Sequence, residues 1–283
     1  MQLAAPLAAP FRSGPAADPI RWNAGAGRGG NHVPADRAVE VAAFARSLSF
    51  GAKYRFQGGV AQALSGVEVL VEHGGPIPVD QVLARIGAQL AQLPKVVTER
   101  LRQIIVYRGQ DEAYDKHWER AYGIPGFQAV AAGGGGQVTF FGGKPYTDGV
   151  LFHELGHNLP VSTSDWRHAV DADNARIAEL AKGGTLRPIE FEDVPDPVRR
   201  ARWTPRLAPG GITPYADGRW GEDICEALRM LMSEQHKGHA FAERVDAVGG
   251  VHALWFGDAY PARTTLLERI TQVDLDRDGA IGA

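Results

Sequence analysis

The stretch H-E-L-G-H at residues 153–157 constrains this chain most, because it predicts both a local structure and a chemistry. Two histidines four residues apart lie one above the other on one face of a helix, so both imidazoles can reach a single metal ion. Glu154 lies beside them, where a carboxylate can accept a proton. The stretch therefore predicts a helix that carries two zinc ligands, His153 and His157, and a general base.

The residues around the stretch predict where this helix begins and ends. Thr147 is the expected N-cap, and Asp148 follows in the first turn, where a negative charge interacts favourably with the helix dipole. Pro160 is expected to stop the helix just past Asn158. We therefore expect the two histidines to lie on a packed element and not on a mobile loop.

Composition narrows the class of protein and the type of metal site. The 283 residues are 44% hydrophobic and 22% charged, which is typical of globular proteins, and no apolar run is long enough to span a bilayer. A net charge of −3 gives no electrostatic reason to expect nucleic acid as a partner. The single cysteine, Cys225, excludes an internal disulfide and a cysteine-rich zinc site. A metal site here must use histidine and carboxylate ligands.

The chain divides into four predicted regions. Residues 1–35 are rich in Ala, Pro and Gly and are expected to form a flexible tail that lacks the features of an export signal. Residues 36–94 are expected to form an α/β segment that packs on a catalytic core at 95–240. Residues 241–283 are expected to form C-terminal helices and a final loop.

Hydrophobic periodicity predicts the main elements within these regions. Short runs of β-branched and aromatic residues predict strands at 67–71, 104–107 and 137–141. Amphipathic or polar periodic segments predict helices at 79–93, 112–122, 164–182, 222–236 and, as two short helices, within 241–272.

Four glycines at residues 133–136 precede the predicted strand at 137–141, which leads into the H-E-L-G-H helix. We predict that this strand is an exposed edge strand along the active-site cleft. An edge strand can pair with an extended peptide through backbone hydrogen bonds, whatever the peptide's side chains are. A glycine run is also typical of a flexible turn.

A catalytic zinc ion usually has three protein ligands. Pro160 and Thr163 occupy the positions of the glycine and third histidine of the H-E-x-x-H-x-x-G-x-x-H class, which excludes that class. Glu222 and Glu226 share one face of a predicted helix, and one can bind metal while the other orients a ligand. Glutamates at this spacing are also typical of a solvated helix face. Other nearby carboxylates are Asp171, Asp173 and Glu179.

The motif HELGH followed by Y-A-x5-E-D-x-x-E-A resembles the catalytic domains of anthrax lethal factor and the Pro-Pro endopeptidases, over about residues 95–240. The resemblance implies an α+β, zincin-type fold of two lobes. The first lobe would hold a small twisted sheet with an edge strand, and the second would be mainly helical. The resemblance also implies secretion.

The same resemblance assigns roles to individual residues. It implies that zinc is bound by His153, His157 and Glu222, that Glu154 is the general base, and that Tyr215 assists at the substrate carbonyl. It further implies that Glu226 supports a metal ligand. Two departures from the family pattern are Asn158-Leu159-Pro160 after the motif and Cys225 where the family often has alanine.

These observations predict a zinc-dependent endopeptidase that hydrolyses an extended protein or peptide substrate with a metal-activated water. The alternative is a catalytically inert binding or toxin-component domain with a zincin fold. The sequence does not indicate an oligomeric state.

The last residues contain a second candidate metal site. Asp274, Asp276 and Asp278 with Gly279 match the D-x-D-x-D-G opening of a calcium-binding loop. The bidentate acid at the twelfth position of such a loop would fall at position 285, so the loop is incomplete in the 283 residues. Calcium binding is therefore the weaker of the two metal predictions.

Overall fold

The computed structural model describes residues 58–122, 125–126, 128–143, 148–189, 204–232 and 239–282. The chain forms two compact units, of which the first ends at Asn158 and the second begins at Leu159. It is an α+β protein with a five-stranded mixed sheet and a three-stranded sheet. The predicted tail at 1–35 and the predicted N-cap Thr147 lie outside the described residues.

The first unit contains the mixed sheet, in the order β1-β2-β3-β5-β4. Strands β2, β3 and β5 run parallel, whereas β1 and β4 pair antiparallel with β2 and β5. In chain order the elements are β1 (Gly59–Leu64), β2 (Val67–Glu72), α1 (Val79–Leu90), α2 (Lys95–Thr98), β3 (Gln103–Val106), α3 (Glu112–Tyr122), β4 (Ala131–Gly134), β5 (Gln137–Phe140) and α4 (Asp148–Gly156).

The centre of this sheet is built from β-branched side chains that are buried on both faces. Val69 and Val71 of β2 lie beside Ile104, Ile105 and Val106 of β3, and all five side chains are buried. Parallel strands covered on both faces have near-continuous apolar sequences of this kind. The predictions of strands at 67–71 and 104–107 are therefore confirmed.

The edge-strand prediction named the wrong strand. The predicted strand exists as β5, but it lies between β3 and β4, so β4 is the strand at this edge of the sheet and β1 is at the other edge. Gly135 and Gly136, both with positive φ, form the turn that joins β4 to β5. The glycine run is thus part strand and part turn. Strand β4 has the sequence A-A-G-G, which contains no β-branched or aromatic residue that would indicate a strand.

The second unit contains the three-stranded antiparallel sheet, in the order β6-β7-β8, and four helices among its described residues. The long helix α5 packs along the C-terminal helix α8, and both contact α6. In chain order the elements are α5 (Thr163–Lys182), β6 (Thr185–Pro188), α6 (Trp220–Met232), β7 (Ala242–Val245), β8 (Val251–Leu254), α7 (Phe256–Ala259) and α8 (Pro261–Thr271).

Two helices of this unit match their predictions closely. Helix α5 begins where the Ser162 side chain accepts a hydrogen bond from the Asp165 backbone N–H, at 3.1 Å. Helix α6 begins two residues earlier than predicted, at Trp220, and the predicted end at 233–236 lies outside the described residues.

The prediction of two short helices within 241–272 is confirmed by α7 and α8, but it missed the hairpin that β7 and β8 form before them. The Asp246 carboxylate accepts hydrogen bonds from the Val248 and Gly250 backbone N–H groups, and Gly249 has a φ of +85°. This turn reverses the chain. The helix-forming Ala, Glu and Arg in β7 conceal the strand in the sequence. The second unit is accordingly less helical than predicted.

In the part of the chain that the structure describes, no helix combines the length and the apolar character needed to cross a lipid bilayer.

Candidate active site

Helix α4 carries His153 and Glu154, but it is shorter than predicted, because we expected it to continue past His157 to Asn158. The helix ends at Gly156, and His157 follows directly in the turn. The ring centroids of His153 and His157 are 5.4 Å apart with the rings nearly perpendicular, and a ring nitrogen of one lies within 4.8 Å of a ring nitrogen of the other. The Glu154 Oε2 atom lies 4.0 Å from His157 Nε2. The structure therefore brings all three predicted residues of this motif together.

These three side chains are almost fully removed from solvent. The exposed fractions of His153, Glu154 and His157 are 6%, 7% and 8%. Imidazole nitrogens are among the donors that zinc prefers, and two of them on adjacent turns suit a tetrahedral ion. The donor set of α4 thus fits zinc.

The position of α4 depends on direct contact with the backbone of β4. A Cβ atom added to Gly133 would lie 2.2 Å from the Glu154 carbonyl oxygen, a separation that no side chain can adopt. Helix and strand therefore approach each other more closely than any other residue at position 133 would allow. The edge strand lies against the turn of α4 that carries Glu154.

Asn158 fastens the end of α4 to the β4–β5 turn. Its side-chain oxygen accepts a hydrogen bond from Gly136 N–H at 2.6 Å, and its amide nitrogen donates to the carbonyl oxygens of Glu154 and Gln137 at 3.2 and 3.4 Å. Asn158, which directly follows H-E-L-G-H, thus caps the end of the helix. Sequence reasoning did not assign Asn158 this role.

Glu222 and Glu226 both lie on α6 in the second unit, and neither is on a solvated face. Their exposed fractions are 4% and 0%. Both Glu226 carboxylate oxygens accept hydrogen bonds from Arg229, from Nε at 3.1 Å and from Nη2 at 2.8 Å. Burial excludes the surface explanation for this pair, because buried carboxylates require charged or hydrogen-bonding partners.

Tyr215 lies in the loop that enters α6. The loop is closed by a hydrogen bond from Ala216 N–H to the Thr213 carbonyl oxygen at 3.1 Å and by one from Arg219 N–H to the Ala216 carbonyl oxygen at 2.9 Å. The Arg219 guanidinium carbon lies 5.4 Å from the centroid of the Tyr215 ring. This cation–π contact orients the half-buried ring of Tyr215.

Asp223, next to Glu222, was not predicted as a functional residue. It is buried, and its Oδ2 atom lies 3.2 Å from the Arg263 Nε atom. Burial raises the pKa of Asp223, and the neighbouring Arg263 charge acts in the opposite direction. The sequence contains no signal that pairs Asp223 with Arg263, because the two residues are 40 positions apart in the chain.

The other carboxylates considered as a third ligand have different surroundings. Asp173 is fully buried, and its oxygens accept hydrogen bonds from the Ala262 and Arg263 backbone N–H groups at 2.8 and 3.2 Å. Asp171 and Glu179 are exposed. Of these three carboxylates only Asp173 is buried, and both of its oxygens accept backbone hydrogen bonds.

His153, Glu154 and His157 lie in the first unit, whereas Tyr215, Glu222 and Glu226 lie in the second. Convergence of the two sets on one ion is a prediction from the sequence motif. Comparisons with protein-family models, curated proteins and solved structures found no match to this chain. The functional interpretation therefore depends on the residues themselves.

The C-terminal candidate site contains an acid that the sequence did not indicate. Side-chain oxygens of Glu268, Asp274 and Asp276 all lie within 4.8 Å of one another, whereas Asp278 is not part of this group. Burial, followed by the nearby Glu268, raises the pKa of Asp276 to about 6. Glu268 belongs to α8, so the acid precedes the loop and does not follow it.

Glu268 also organises the loop. Its Oε1 atom accepts a hydrogen bond from Leu275 N–H at 2.8 Å, and its Oε2 atom accepts one from Gly282 N–H at 2.9 Å. Gly279 N–H donates to Asp274 Oδ2 at 3.0 Å, and Gly279 has a positive φ, as the sharp turn of a calcium loop requires. Calcium binding at this loop stays a prediction.

Proposed function

We propose that this protein is a zinc-dependent endopeptidase that hydrolyses an extended polypeptide. The observation that carries the proposal is the pair of buried imidazoles on adjacent turns, with a buried carboxylate between them in the sequence. Two imidazoles and a carboxylate gathered at one buried place are the donor types that a catalytic zinc site uses. The resemblance of the two motifs to the lethal-factor-like peptidases supports the same conclusion.

His153, His157 and Glu222 are the proposed ligands, within a zincin-type arrangement of two lobes. A bound zinc ion would act as a Lewis acid, polarising a water molecule and the substrate carbonyl group. Glu226, held by Arg229, is proposed to support a ligand from behind. Glu222 is 4% exposed, which is compatible with a ligand inside the protein and not with a solvated helix face.

Glu154 and Tyr215 are the proposed catalytic side chains. Glu154 would accept the proton of the attacking water and pass it to the leaving amine. The Tyr215 hydroxyl would donate a hydrogen bond to the carbonyl oxygen as negative charge develops on it. Arg219 supports this role because its contact with the Tyr215 ring limits the directions in which the hydroxyl can point.

Strand β4 is the proposed binding element for the substrate backbone. It is an edge of the sheet and packs against α4, which places a pairing edge next to the residues of the proposed chemistry. Its side chains are only alanine and glycine, so pairing would give affinity through backbone hydrogen bonds. A substrate bound in this way must be extended.

Two measurements on the purified protein test the proposal. Metal analysis is expected to find one zinc ion per chain, and digestion of a mixed peptide library, followed by mass spectrometry, is expected to show new cleavage products. Addition of a zinc chelator should abolish these products. Protein that contains zinc but cleaves nothing would favour the inert binding domain, and protein without zinc would contradict the proposal.

A further inference from the structure

The carboxylate of Asp223 connects the beginning of α6 to elements that are distant in sequence. Its Oδ1 atom accepts a hydrogen bond from Ile212 N–H at 2.6 Å, and its Oδ2 atom accepts one from Trp166 Nε1–H at 2.9 Å. Arg263 Nε lies 3.2 Å from the same Oδ2 atom. Asp223 has an exposed fraction of 1%. Water therefore cannot take the place of a lost partner, and each partner is needed.

Asp223 also closes the segment that contains Tyr215 and Glu222. Its side chain binds Ile212, three residues before Tyr215, and its backbone N–H donates to the Arg219 carbonyl oxygen at 2.9 Å. Residues 212–223, which comprise the loop before α6 and the first turn of α6, are therefore closed by hydrogen bonds to this one residue. Tyr215 and Glu222 both lie within this closed segment.

The partners of Asp223 are themselves fixed by the core of the second unit. Trp166 of α5 and Arg263 of α8 are both fully buried. Arg263 Nη2 donates to the Gly210 carbonyl oxygen at 2.7 Å, and the Arg263 backbone N–H donates to Asp173. The network thus connects three helices to the loop before α6. Among the described residues, Arg263 Nε and Nη1 have no hydrogen-bond partner of their own, so the ion pair with Asp223 and the bond from Nη2 to Gly210 hold the guanidinium in place. A buried polar network of this kind favours one arrangement of its elements.

We propose that Asp223 is a positioning residue, which sets the zinc ligand Glu222 and the catalytic Tyr215 at the separation that the reaction requires. The inference rests on the proposed function, since it concerns how two residues of that site are placed. Asp223 acts through its neighbours and does not contact the substrate. Side chains that orient metal ligands in this way typically change metal affinity or activity by about 10- to 100-fold when they are altered.

The matched pair of variants is Asp223→Asn and Asp173→Asn. Both remove a buried carboxylate charge from the surroundings of Arg263, but Asp173 binds Ala262 and Arg263 and has no hydrogen bond to the loop or to α6 among the described contacts. In Asp223→Asn, the amide nitrogen cannot accept the Trp166 hydrogen bond and meets the Arg263 charge. The comparison separates positioning from general support of the core.

Zinc affinity is measured by chelator competition, and kcat and KM are measured with a peptide substrate. Both measurements are made at a temperature well below the Tm of each variant. Asp223→Asn is expected to weaken zinc binding by about 10- to 100-fold and to lower kcat more than it changes KM. Asp173→Asn is expected to leave both close to wild type. If Asp223→Asn does not fold, Trp166→Phe, which removes one donor to Asp223, should give a smaller loss in the same direction.

Three outcomes overturn the inference, and they are distinguishable. Wild-type zinc affinity and kcat in Asp223→Asn, or in Trp166→Phe when that variant replaces it, would show that Asp223 is only structural. Equal losses in Asp223→Asn and Asp173→Asn would show that the network supports the core without positioning Glu222. Wild-type protein that binds no zinc would overturn the proposed function and this inference with it.

Discussion

Helices α4 and α6 carry the two halves of the proposed zinc site, and they are held in place by different interactions. Helix α4 depends on a close backbone contact with Gly133 and on the neutral amide of Asn158. Helix α6 depends on buried charges, in which Asp223 pairs with Arg263 and Glu226 pairs with Arg229. The position of α4 should thus be sensitive to side-chain volume, and that of α6 to charge.

This difference follows from the number of charged side chains that each helix buries. All the described side chains of α4 from Leu151 to Gly156 are buried, and its only charged group among them is the proposed base, Glu154. Helix α6 buries every residue from Glu222 to Met232, including two glutamates and an aspartate. Each buried carboxylate must be paired with a charge or a hydrogen-bond donor, which explains why a charged network surrounds α6.

The largest expected effect comes from removing the proposed base on α4. Glu154→Gln should lower peptide cleavage by at least roughly 100-fold, because proton transfer loses its acceptor, while zinc content stays unchanged. Cleavage is measured by mass spectrometry with a fixed peptide, and zinc by metal analysis. The exposed Glu179→Gln on α5 is the matched control and should behave as wild type. Undiminished cleavage by Glu154→Gln would remove Glu154 from the mechanism.

The next effect tests the dependence of α4 on volume. Gly133→Ala places a Cβ atom against the Glu154 carbonyl oxygen, so helix and strand must separate. We expect the free energy of unfolding to fall by about 1–3 kcal/mol, the usual cost of overpacking, and zinc affinity to weaken. Urea unfolding measures the free energy of unfolding, and chelator competition measures the zinc affinity.

The control for that variant is another glycine-to-alanine change in the same unit. A Cβ atom on Gly87, inside α1, would meet Leu64 Cδ1 at an ordinary 3.7 Å. Gly87→Ala should therefore raise the free energy of unfolding, by about 0.5–1 kcal/mol, because alanine is the better helix former. Equal stability of the Gly133→Ala and Gly87→Ala variants would contradict the close contact of α4 with β4.

A smaller effect tests the dependence of the second unit on charge. Burial raises the pKa of Asp173 to about 6, although the Ala262 and Arg263 N–H groups and the Arg263 charge oppose the shift and Asp223 adds to it. A carboxyl group with a higher pKa in the folded protein binds its proton more tightly when folded. Its contribution to stability therefore falls as the pH rises from about 4 to about 6 and stays low above that range.

Asp173→Asn cannot ionise, so its Tm relative to wild type should be higher at pH 7.5 than at pH 4.5. Thermal unfolding of both proteins at the two pH values measures this difference. The same Tm difference at both values would mean that Asp173 does not titrate in this range when folded.

The smallest effect concerns the acidic loop after α8, which is remote in sequence from both helices. Millimolar calcium should raise the Tm by a few degrees if the loop binds the ion, because a ligand that binds the folded state stabilises it. Asp276→Asn should remove the calcium response without abolishing zinc binding. A Tm that is insensitive to calcium would show that Glu268 stabilises the loop through its hydrogen bonds alone.

The sequence predicted best where the information is local. Histidines four residues apart in a helical segment lie close together whatever the rest of the chain does, and the ring centroids of His153 and His157 are 5.4 Å apart. Their role as zinc ligands stays a prediction. The buried strands β2 and β3 were predicted for a similar reason, since runs of valine and isoleucine favour them.

Features that depend on distant partners were not predicted. Strand β4 was missed because alanine and glycine have little strand preference, and only its contact with α4 explains the sequence. The β7–β8 hairpin was missed because helix-forming residues lie in β7. The pairing of Asp223 with Arg263 and the position of Glu268 beside Asp274 arise only when separate segments pack together.

Zinc K-edge X-ray absorption of the wild-type protein would show directly which atoms bind the proposed zinc ion. Ligation by His153, His157 and Glu222 predicts only nitrogen and oxygen neighbours of zinc, at about 2.0–2.2 Å, with an imidazole scattering pattern from two histidines. The chain has one cysteine, Cys225, which lies three residues after Glu222 on α6. A cysteine sulfur bound to zinc would therefore come from Cys225. A sulfur neighbour at about 2.3 Å, or zinc without imidazole neighbours, would contradict the account.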